Sequence, residues 1–304
     1  MKCLSLFPSA VSARQILRQQ WRLVLVLVLL ACSLQSLAAD PVRQQPGFRI
    51  GLTAVFLDNQ TSFIKAWERY LEQKLGEPVR FVQRQSYREI TQLLLDGQLD
   101  AAWICGFPYV RFRERLRLLG VPLYHGKPLY RSYLIVPADD QQTRSYGDLE
   151  GAVFAYSDPD SNSGFLVPQA ELRRRGIDPA RFFSKTFFTW SHRDVVRAVA
   201  DGLARGGAVD GYVWDTLSQT HPELTRRTRV VWRSGYFGFP PFAVRATLAA
   251  DDFDRLQQVL MGMAADPQGR KLLRRLNLDG FGRGSDRLYD SIRKELEVAE
   301  NGAE

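Results

Sequence analysis

The stretch "SDPDSNSGFLVP", Ser157 to Pro168, sets three small hydrogen-bonding side chains, Ser161, Asn162 and Ser163, directly before Gly164. The apolar run "GAVFAY" comes just before it, and a helical pattern follows. A helix start leaves about four backbone N–H groups without intrahelical partners. It also carries roughly half a unit of positive charge, so an oxyanion suits the place. The two hydroxyls and the amide add donors, and Gly164 has no Cβ to hold a close neighbour off. A tetrahedral anion, with several oxygens needing donors at once, fits this chemistry. An Asx or serine turn that only caps a helix uses the same residue types. Pro168 cannot donate to the carbonyl of Gly164. Either residues 161–167 form an irregular turn ahead of the helix, or the helix's first turns are distorted.

His192 stands one residue after the cap residue Ser191, so its ring sits at a second helix start. In a parallel α/β lobe, helix starts gather at the carboxyl ends of strands, beside the crevice where ligands collect. His192 is therefore a candidate donor to the same anion. Tyr87 holds the matching position after the cap residue Ser86, and Tyr130 lies on an extended segment between two patterned regions. Each offers a hydroxyl from a facing wall, or a half-buried aromatic with no such role. Trp190, Trp214 and Phe237 could wall a cleft, but core packing explains them as well. Ser161, His192 and Asp158 imitate a hydrolytic triad. A histidine beside an anion makes a poor general base, however, because the anion favours its protonated form. No Gly-x-Ser-x-Gly elbow, P-loop or zinc-binding histidine pair is present. The chain reads as a binding protein that needs no metal and no cofactor, and not as an enzyme.

Strands and helices alternate around these residues. "GFRIGLTAVF" reads as a strand, "NQTSFIKAWERYLEQKLG" as an amphipathic helix, "PVRFVQR" as a strand, "SYREITQLLLDG" as a helix and "LDAAWICG" as a buried strand. A second cycle follows "RSYLIVPAD" and ends in "GAVDGYVW", read as a strand. This order implies mainly parallel sheets flanked by helices. "SYREITQLLLDGQLDAAWI" and "SHRDVVRAVADGLARGGAVDGYVW" follow one plan, each opening on a capping box (Ser86 with Glu89, Ser191 with Asp194) and running to a glycine. Two lobes of similar design are expected. "LYRSYLIVP" and "GYFGFPPFAVR" would be the crossovers between them. The C-terminal helical regions, with no strand between them, would return to the first lobe. The expected division is 46–132 plus 240–298 for lobe one and 133–239 for lobe two.

Residues 1–39 read as an export signal: Arg14, Arg18 and Arg22 precede the short apolar run "LVLVLVLLA". Cleavage after Ala38 or Ala39 fits. A rival reading is the lipoprotein-like "LLAC" ending at Cys32, which would give a lipid anchor. Either way the protein is expected in the periplasm. Of 304 residues about 265 remain, and the net charge falls from +8 to +4, because four basic and no acidic residues precede Asp40. That weak excess does not call for nucleic acid, and export argues against it. "RFRERLRLL" and "RRTRVVWR" read as solvated faces. Beyond the signal only Cys105 remains, so no internal disulfide can form; in "AAWICGF" it reads as a small buried apolar residue.

"DPDSNSGFLVP" resembles the Asp-Pro-(Asn/Asp)-Ser-Thr-Ser-Gly-Tyr-Leu-Val-Pro segment of phosphate/phosphite/phosphonate ABC-transporter substrate-binding proteins, the PhnD-like group. "SYREITQLLLDGQLDAAWICGFPYV", "YRSYLIV", "GIDPARFF", "SHRDVVRAVADGLARGGAVDGYV", "FPPFAVR" and "YDSIRKEL" are similar too, in order along nearly the whole mature chain. The resemblance implies a two-lobed α/β periplasmic binding protein of type II, working as a monomer that feeds an ABC permease. It implies that Ser161, Asn162, Ser163 and His192 grip a phosphorus oxyanion, with Tyr87 and Tyr130 facing them. Asn162 departs from the threonine of the pattern. Aminoalkylphosphonate binders resemble one another in an acidic residue shortly after the Val-Asp pair. Here Leu217 falls at that place, with Asp215 two residues earlier, which implies a smaller or neutral-tailed ligand. A ligand sensor feeding a membrane kinase or cyclase would share the fold.

Overall fold

The computed structural model describes residues 47–53 and 61–301, so the expected export signal and Cys32 lie outside it. The chain begins with β1 (Phe48–Leu52), α1 (Thr61–Leu75), β2 (Val79–Gln83), α2 (Tyr87–Leu95), β3 (Ala101–Trp103), α3 (Gly106–Arg111) and β4 (Leu116–Leu123). Next come β5 (Leu129–Tyr130), β6 (Ser132–Pro137), β7 (Val153–Tyr156), α4 (Val167–Arg174), α5 (Pro179–Phe182), β8 (Lys185–Phe188), α6 (His192–Ala200), β9 (Gly206–Asp210) and α7 (Gly211–Thr220). The remainder is α8 (Pro222–Thr225), β10 (Thr228–Arg233), β11 (Phe237–Gly238), β12 (Phe242–Arg245), α9 (Ala250–Gly262), α10 (Pro267–Arg275), β13 (Gly280–Gly282) and α11 (Asp290–Asn301). No helix among the described residues is long and apolar enough to cross a membrane.

Two sheets carry the site. One runs β13-β4-β12-β3-β1-β2 and the other β10-β6-β9-β7-β8. The α/β class, with helix-flanked sheets joined by two crossovers, is the expected one. Strand directions are more mixed than expected. β1 is parallel to β2 and β3, and β7 to β8 and β9, whereas β12 and β6 run antiparallel to their neighbours. The physical reason lies in the connections. A strand reached through a helix on its own sheet must return parallel. β6 and β12 arrive from the other sheet, so nothing imposes that direction on them. The two crossing segments pair with each other through β5 and β11, Tyr130 opposite Phe237 and Leu129 opposite Gly238.

Sidedness follows the strand period of two. On β6, Tyr133 and Ile135 join the larger apolar core, while Leu134 and Val136 join a smaller cluster on the opposite face with Phe154, Tyr156 and Leu172. Trp103 stacks on Phe242 at 5.4 Å in the first sheet, and Phe154 on Phe183 at 4.4 Å in the second. The internal echo has matching geometry. α2 and α6 both end at an aspartate, Asp96 and Asp201, followed by a left-handed glycine, Gly97 at φ 71° and Gly202 at φ 72°. The capping box at Ser86 is complete, whereas the Ser191 hydroxyl accepts from the Asp194 amide and donates to its carboxylate.

Several expectations need correction. "GAVDGYVW" is a strand only to Asp210. The Asp210 carboxylate then accepts from Tyr212 N at 2.8 Å and starts α7, a capping role its spacing allowed. A strand, β13, separates the last helices; with glycine at two of its three positions it shows no alternation to read. The charged runs "RFRERLRLL" and "RRTRVVWR" lead into β4 and β10 and, as expected, keep most of their charged side chains exposed. α11 does not pack on the first sheet's helices alone: Glu295 pairs with Arg174 of α4 at 2.7 Å.

Candidate functional site

The serine segment folds as an irregular turn leading into the helix. Ser161 caps it, its Oγ accepting from Gly164 N at 3.0 Å. Residues Asn162–Leu166 form one π-type turn, with Leu166 N donating to Ser161 O at 3.0 Å and Val167 N to Asn162 O. A single π turn is a wide insertion of the kind often found at functional sites. The next bond in that register would run from residue 168 to Ser163 O. Pro168 has no N–H to give, and the buried Ser132 hydroxyl from β6 donates to that carbonyl instead at 2.7 Å. Gly164 is where the turn comes closest to its neighbours. A Cβ there would stand 1.9 Å from Ser157 Oγ and 3.1 Å from His192 Cε1.

All six candidate residues are buried: Tyr87, Tyr130, Ser161, Asn162, Ser163 and His192. Tyr130 bonds the turn at Asn162, His192 lies against it at Gly164, and the Tyr87 backbone is tied to it through Asp158. Asn162 Nδ2 donates to the Tyr130 hydroxyl at 2.8 Å. Burial drives the Tyr130 phenol well above the ordinary range, against hydrogen bonds from Asn162 and Ser163. The Tyr87 phenol is likewise raised, chiefly by burial, with the acidic groups of Cys105, Asp158 and Asp210 nearby acting in the same direction. Its hydroxyl, Ser157 Oγ and Asn162 Oδ1 are buried without a hydrogen-bond partner. Buried polar groups of this kind are few in folded proteins, and each calls for an explanation.

His192 departs from the protonated form expected beside an anion. Burial pushes its pKa down to about 3, and Nδ1 accepts the backbone N–H of Asp210 at 3.1 Å. The ring is neutral with its proton on Nε2. The triad-like trio does not assemble, because Asp158 is turned elsewhere: its Oδ2 accepts from Tyr87 N at 3.0 Å and its Oδ1 from Asp160 N at 2.7 Å.

Three contributors have roles that the sequence reading did not assign them. Asp158 ties the second sheet's turn to the start of α2. Cys105, read as core, receives Asn162 N–H on its Sγ at 3.2 Å, and burial pushes the thiol up to about 12. Asp210 orients His192, and burial pushes its carboxyl up to about 8. Leu99-Asp100 and Val209-Asp210 hold matching places in the internal echo, a signal that could have found Asp210; nothing local marked the other two. Around this contact, Asp160 accepts from Arg88 Nε at 3.2 Å and lies 3.5 Å from Arg111 Nη1. Leu217 belongs to the apolar core, so its side chain says nothing about a ligand's tail. Asp215 accepts from the hydroxyls of Tyr133 at 3.1 Å and Tyr124 at 3.4 Å. Of the suggested wall aromatics, Trp190 is partly exposed, Trp214 donates to Thr228, and Phe237 packs by Tyr130.

Comparison with known proteins bears on this arrangement. The family model described as "ABC transporter, phosphonate, periplasmic substrate-binding protein" matches residues 52–289. The phosphate-import protein PhnD of Mycolicibacterium smegmatis is 27% identical over 224 residues, 68% of this chain and 70% of that protein. The phosphonates-binding periplasmic protein of Escherichia coli is 25% identical over 266 residues, 84% of this chain and 78% of that one. A crystal structure of a binding protein component of an ABC phosphonate transporter from Pseudomonas aeruginosa superposes with a TM-score of 0.78 at 22% identity. It covers 86% of this chain and 88% of its own.

Proposed function

The chain belongs to the family of periplasmic substrate-binding proteins of phosphonate ABC transporters, and from that premise we propose that it captures a phosphorus oxyanion, whether phosphate, phosphite or a phosphonate, for a membrane permease. The family is one of substrate-binding transport proteins. The observation that carries the proposal is the Tyr87 hydroxyl. It lies buried without a partner at the start of α2, whose backbone is tied to the second sheet's turn through Asp158.

In this reading Ser161 and the π turn present the anion's seat, and Ser163, His192 Nε2–H, Tyr87 and Tyr130 supply donors. All are neutral, so the site replaces the solute's hydration without setting a cation against it. Hydrogen bonds to a charged group contribute roughly 1.5–3 kcal/mol each. Four of them support micromolar or tighter binding after the cost of association. The lobes, 46–132 with 240–298 and 133–239, would close on the ligand by bending at the paired crossovers β5 and β11.

Native mass spectrometry of protein purified from the periplasm is expected to show a retained oxyanion. Calorimetric titration should then give micromolar or tighter binding of phosphate, phosphite or methylphosphonate. Ser163→Ala and His192→Ala should each weaken it by about 1–3 kcal/mol with an unchanged circular dichroism spectrum. Full affinity in both variants would move the site elsewhere.

A further inference from the structure

Asn162 offers the cluster an acceptor where its neighbours offer donors. Its Nδ2 donates to Tyr130 at 2.8 Å, which turns Oδ1 the other way, and Oδ1 is buried without a hydrogen-bond partner. Its backbone N–H is already taken by Cys105 Sγ at 3.2 Å. What the side chain has left is a second Nδ2–H and the carbonyl oxygen, and the oxygen is the atom without a partner: it needs a proton. A fully ionised oxyanion has none to give and would set its own oxygen against Oδ1, oxygen to oxygen. An oxyanion that keeps one acidic O–H satisfies Oδ1 with it, while its remaining oxygens accept from Ser163, His192 and Tyr87.

We propose that Asn162 makes the site selective for tetrahedral oxyanions that still carry a proton on one oxygen. The inference rests on the oxyanion reading above and adds the ligand's protonation state to it. A threonine at this place, with a hydroxyl that donates as readily as it accepts, would impose no such choice.

The ionisable groups around Asn162 come from several elements. Tyr130 on β5 and Tyr87 on α2 are held well above the ordinary phenol range, and Cys105 before α3 is pushed up to about 12, so all three keep their protons. His192 on α6, pushed down to about 3, stays neutral. On the turn itself, burial raises Asp158 against the amides of Tyr87 and Asp160, and Asp160 pairs with Arg88 and Arg111. Asp210, at the end of β9, is pushed up to about 8 and changes charge in the working range. A change in Asp158 or Asp210 acts on both ligands in the same direction and is also present in Asn162→Thr, so the ratio of affinities compared between wild type and that variant isolates the ligand's own proton.

Phosphate and methylphosphonate supply that ratio. Phosphate keeps a proton across the whole range from about pH 5 to 9, whereas methylphosphonate loses its last one at its second ionisation. Both are titrated calorimetrically against the wild-type protein across that range, with sulfate, a tetrahedral dianion without a proton, at neutral pH. The expected result is a phosphate-to-methylphosphonate preference rising about tenfold per pH unit above that ionisation, and sulfate at least about tenfold weaker than phosphate. In Asn162→Thr the rise flattens and sulfate gains. A preference that does not move with pH in the wild type overturns the inference while leaving the oxyanion reading intact. If phosphate, methylphosphonate and phosphite, tried alongside them, all fail to bind at any pH, the oxyanion reading fails and the inference with it.

Discussion

The backbone N–H of Asp210 donates to Nδ1 of His192 across 3.1 Å, with both residues buried. A proton on Nδ1 would meet that N–H head on, so the ring keeps its single proton on Nε2. Desolvation acts in the same direction and pushes the pKa down to about 3. His192 is thus a fixed neutral donor. A donor of fixed orientation needs no reorganisation when an anion arrives, and it leaves no buried charge behind when the anion departs.

The same pair predicts two opposing pH slopes. His192 titrates at about 3 when folded and 6.5 when unfolded, so between those values the unfolded chain binds more protons and stability rises with pH. Asp210 titrates at about 8 when folded and 3.8 when unfolded, so between those values the native state binds more protons and stability falls with pH. From about pH 4 to 6.5 the two slopes offset each other, each at most about 1.4 kcal/mol per pH unit. Urea unfolding across this window should show His192→Gln losing stability as pH rises and Asp210→Asn gaining it. Two variants that both follow the wild-type profile would remove the linkage.

Gly164→Ala tests the close approach of the turn to its neighbours. The added methyl would stand 1.9 Å from Ser157 Oγ, 2.8 Å from Ser157 Cβ and 3.1 Å from His192 Cε1, all within buried residues. Overpacking of this kind costs about 1–3 kcal/mol, and it would push the His192 ring off its seat. Thermal unfolding should drop and oxyanion affinity should weaken together. Ser157→Gly added to the alanine variant should recover most of the stability. An alanine variant as stable and as tight-binding as wild type would show that the turn has room to spare.

How much of this was readable beforehand depended on distance along the chain. The serine turn was legible because its chemistry lies in consecutive residues, and Pro168 alone announced that its helix could not begin regularly. His192 and Tyr87 were legible through the two-fold echo, since each follows a cap serine of the same plan. Cys105 and Asp158 were not. Their partners, Asn162 and Tyr87, lie 57 and 71 residues away and meet them only because two crossovers fold the sheets together. The neutral state of His192 was misjudged for a related reason: burial and a backbone donor 18 residues off set its charge, and neither shows in "WSHRD". Strand direction failed where strands arrive from the other sheet, because local pattern records periodicity and not the route taken.

Asp160, on the second sheet's turn, reaches the start of α2 through Arg88 and the end of α3 through Arg111. Arg88 is largely exposed, its side chain 72% accessible, so its ion pair is screened and contributes no more than about 1 kcal/mol. Asp160→Asn should therefore leave the fold and the proposed anion donors untouched, yet shift an opening equilibrium about two- to fivefold. Small-angle scattering without added oxyanion should show a larger radius of gyration for the variant, and saturating ligand should remove the difference. Equal profiles in both conditions would mean that these ion pairs have no part in closure.

Cys105 gives closure a chemical reporter. Its thiol is 2% exposed, lies between the sheets, and receives the Asn162 N–H at 3.2 Å. Thiolate, not thiol, is the nucleophile, and burial pushes this group up to about 12, so in the closed arrangement it is both covered and protonated. Opening the sheets would restore water to the sulfur and bring its pKa back toward the ordinary range, making it reactive in proportion to the open fraction. Alkylation of the mature protein at about pH 8 should be slow and should slow further, at least about tenfold, with saturating oxyanion. Asp160→Asn should label faster than wild type when no oxyanion is added. The adduct, seated where Asn162 must approach, should abolish binding, whereas Cys105→Ser, which keeps an acceptor in place, should retain it. Labelling at the same rate with and without ligand would show that the thiol is reached without any parting of the sheets.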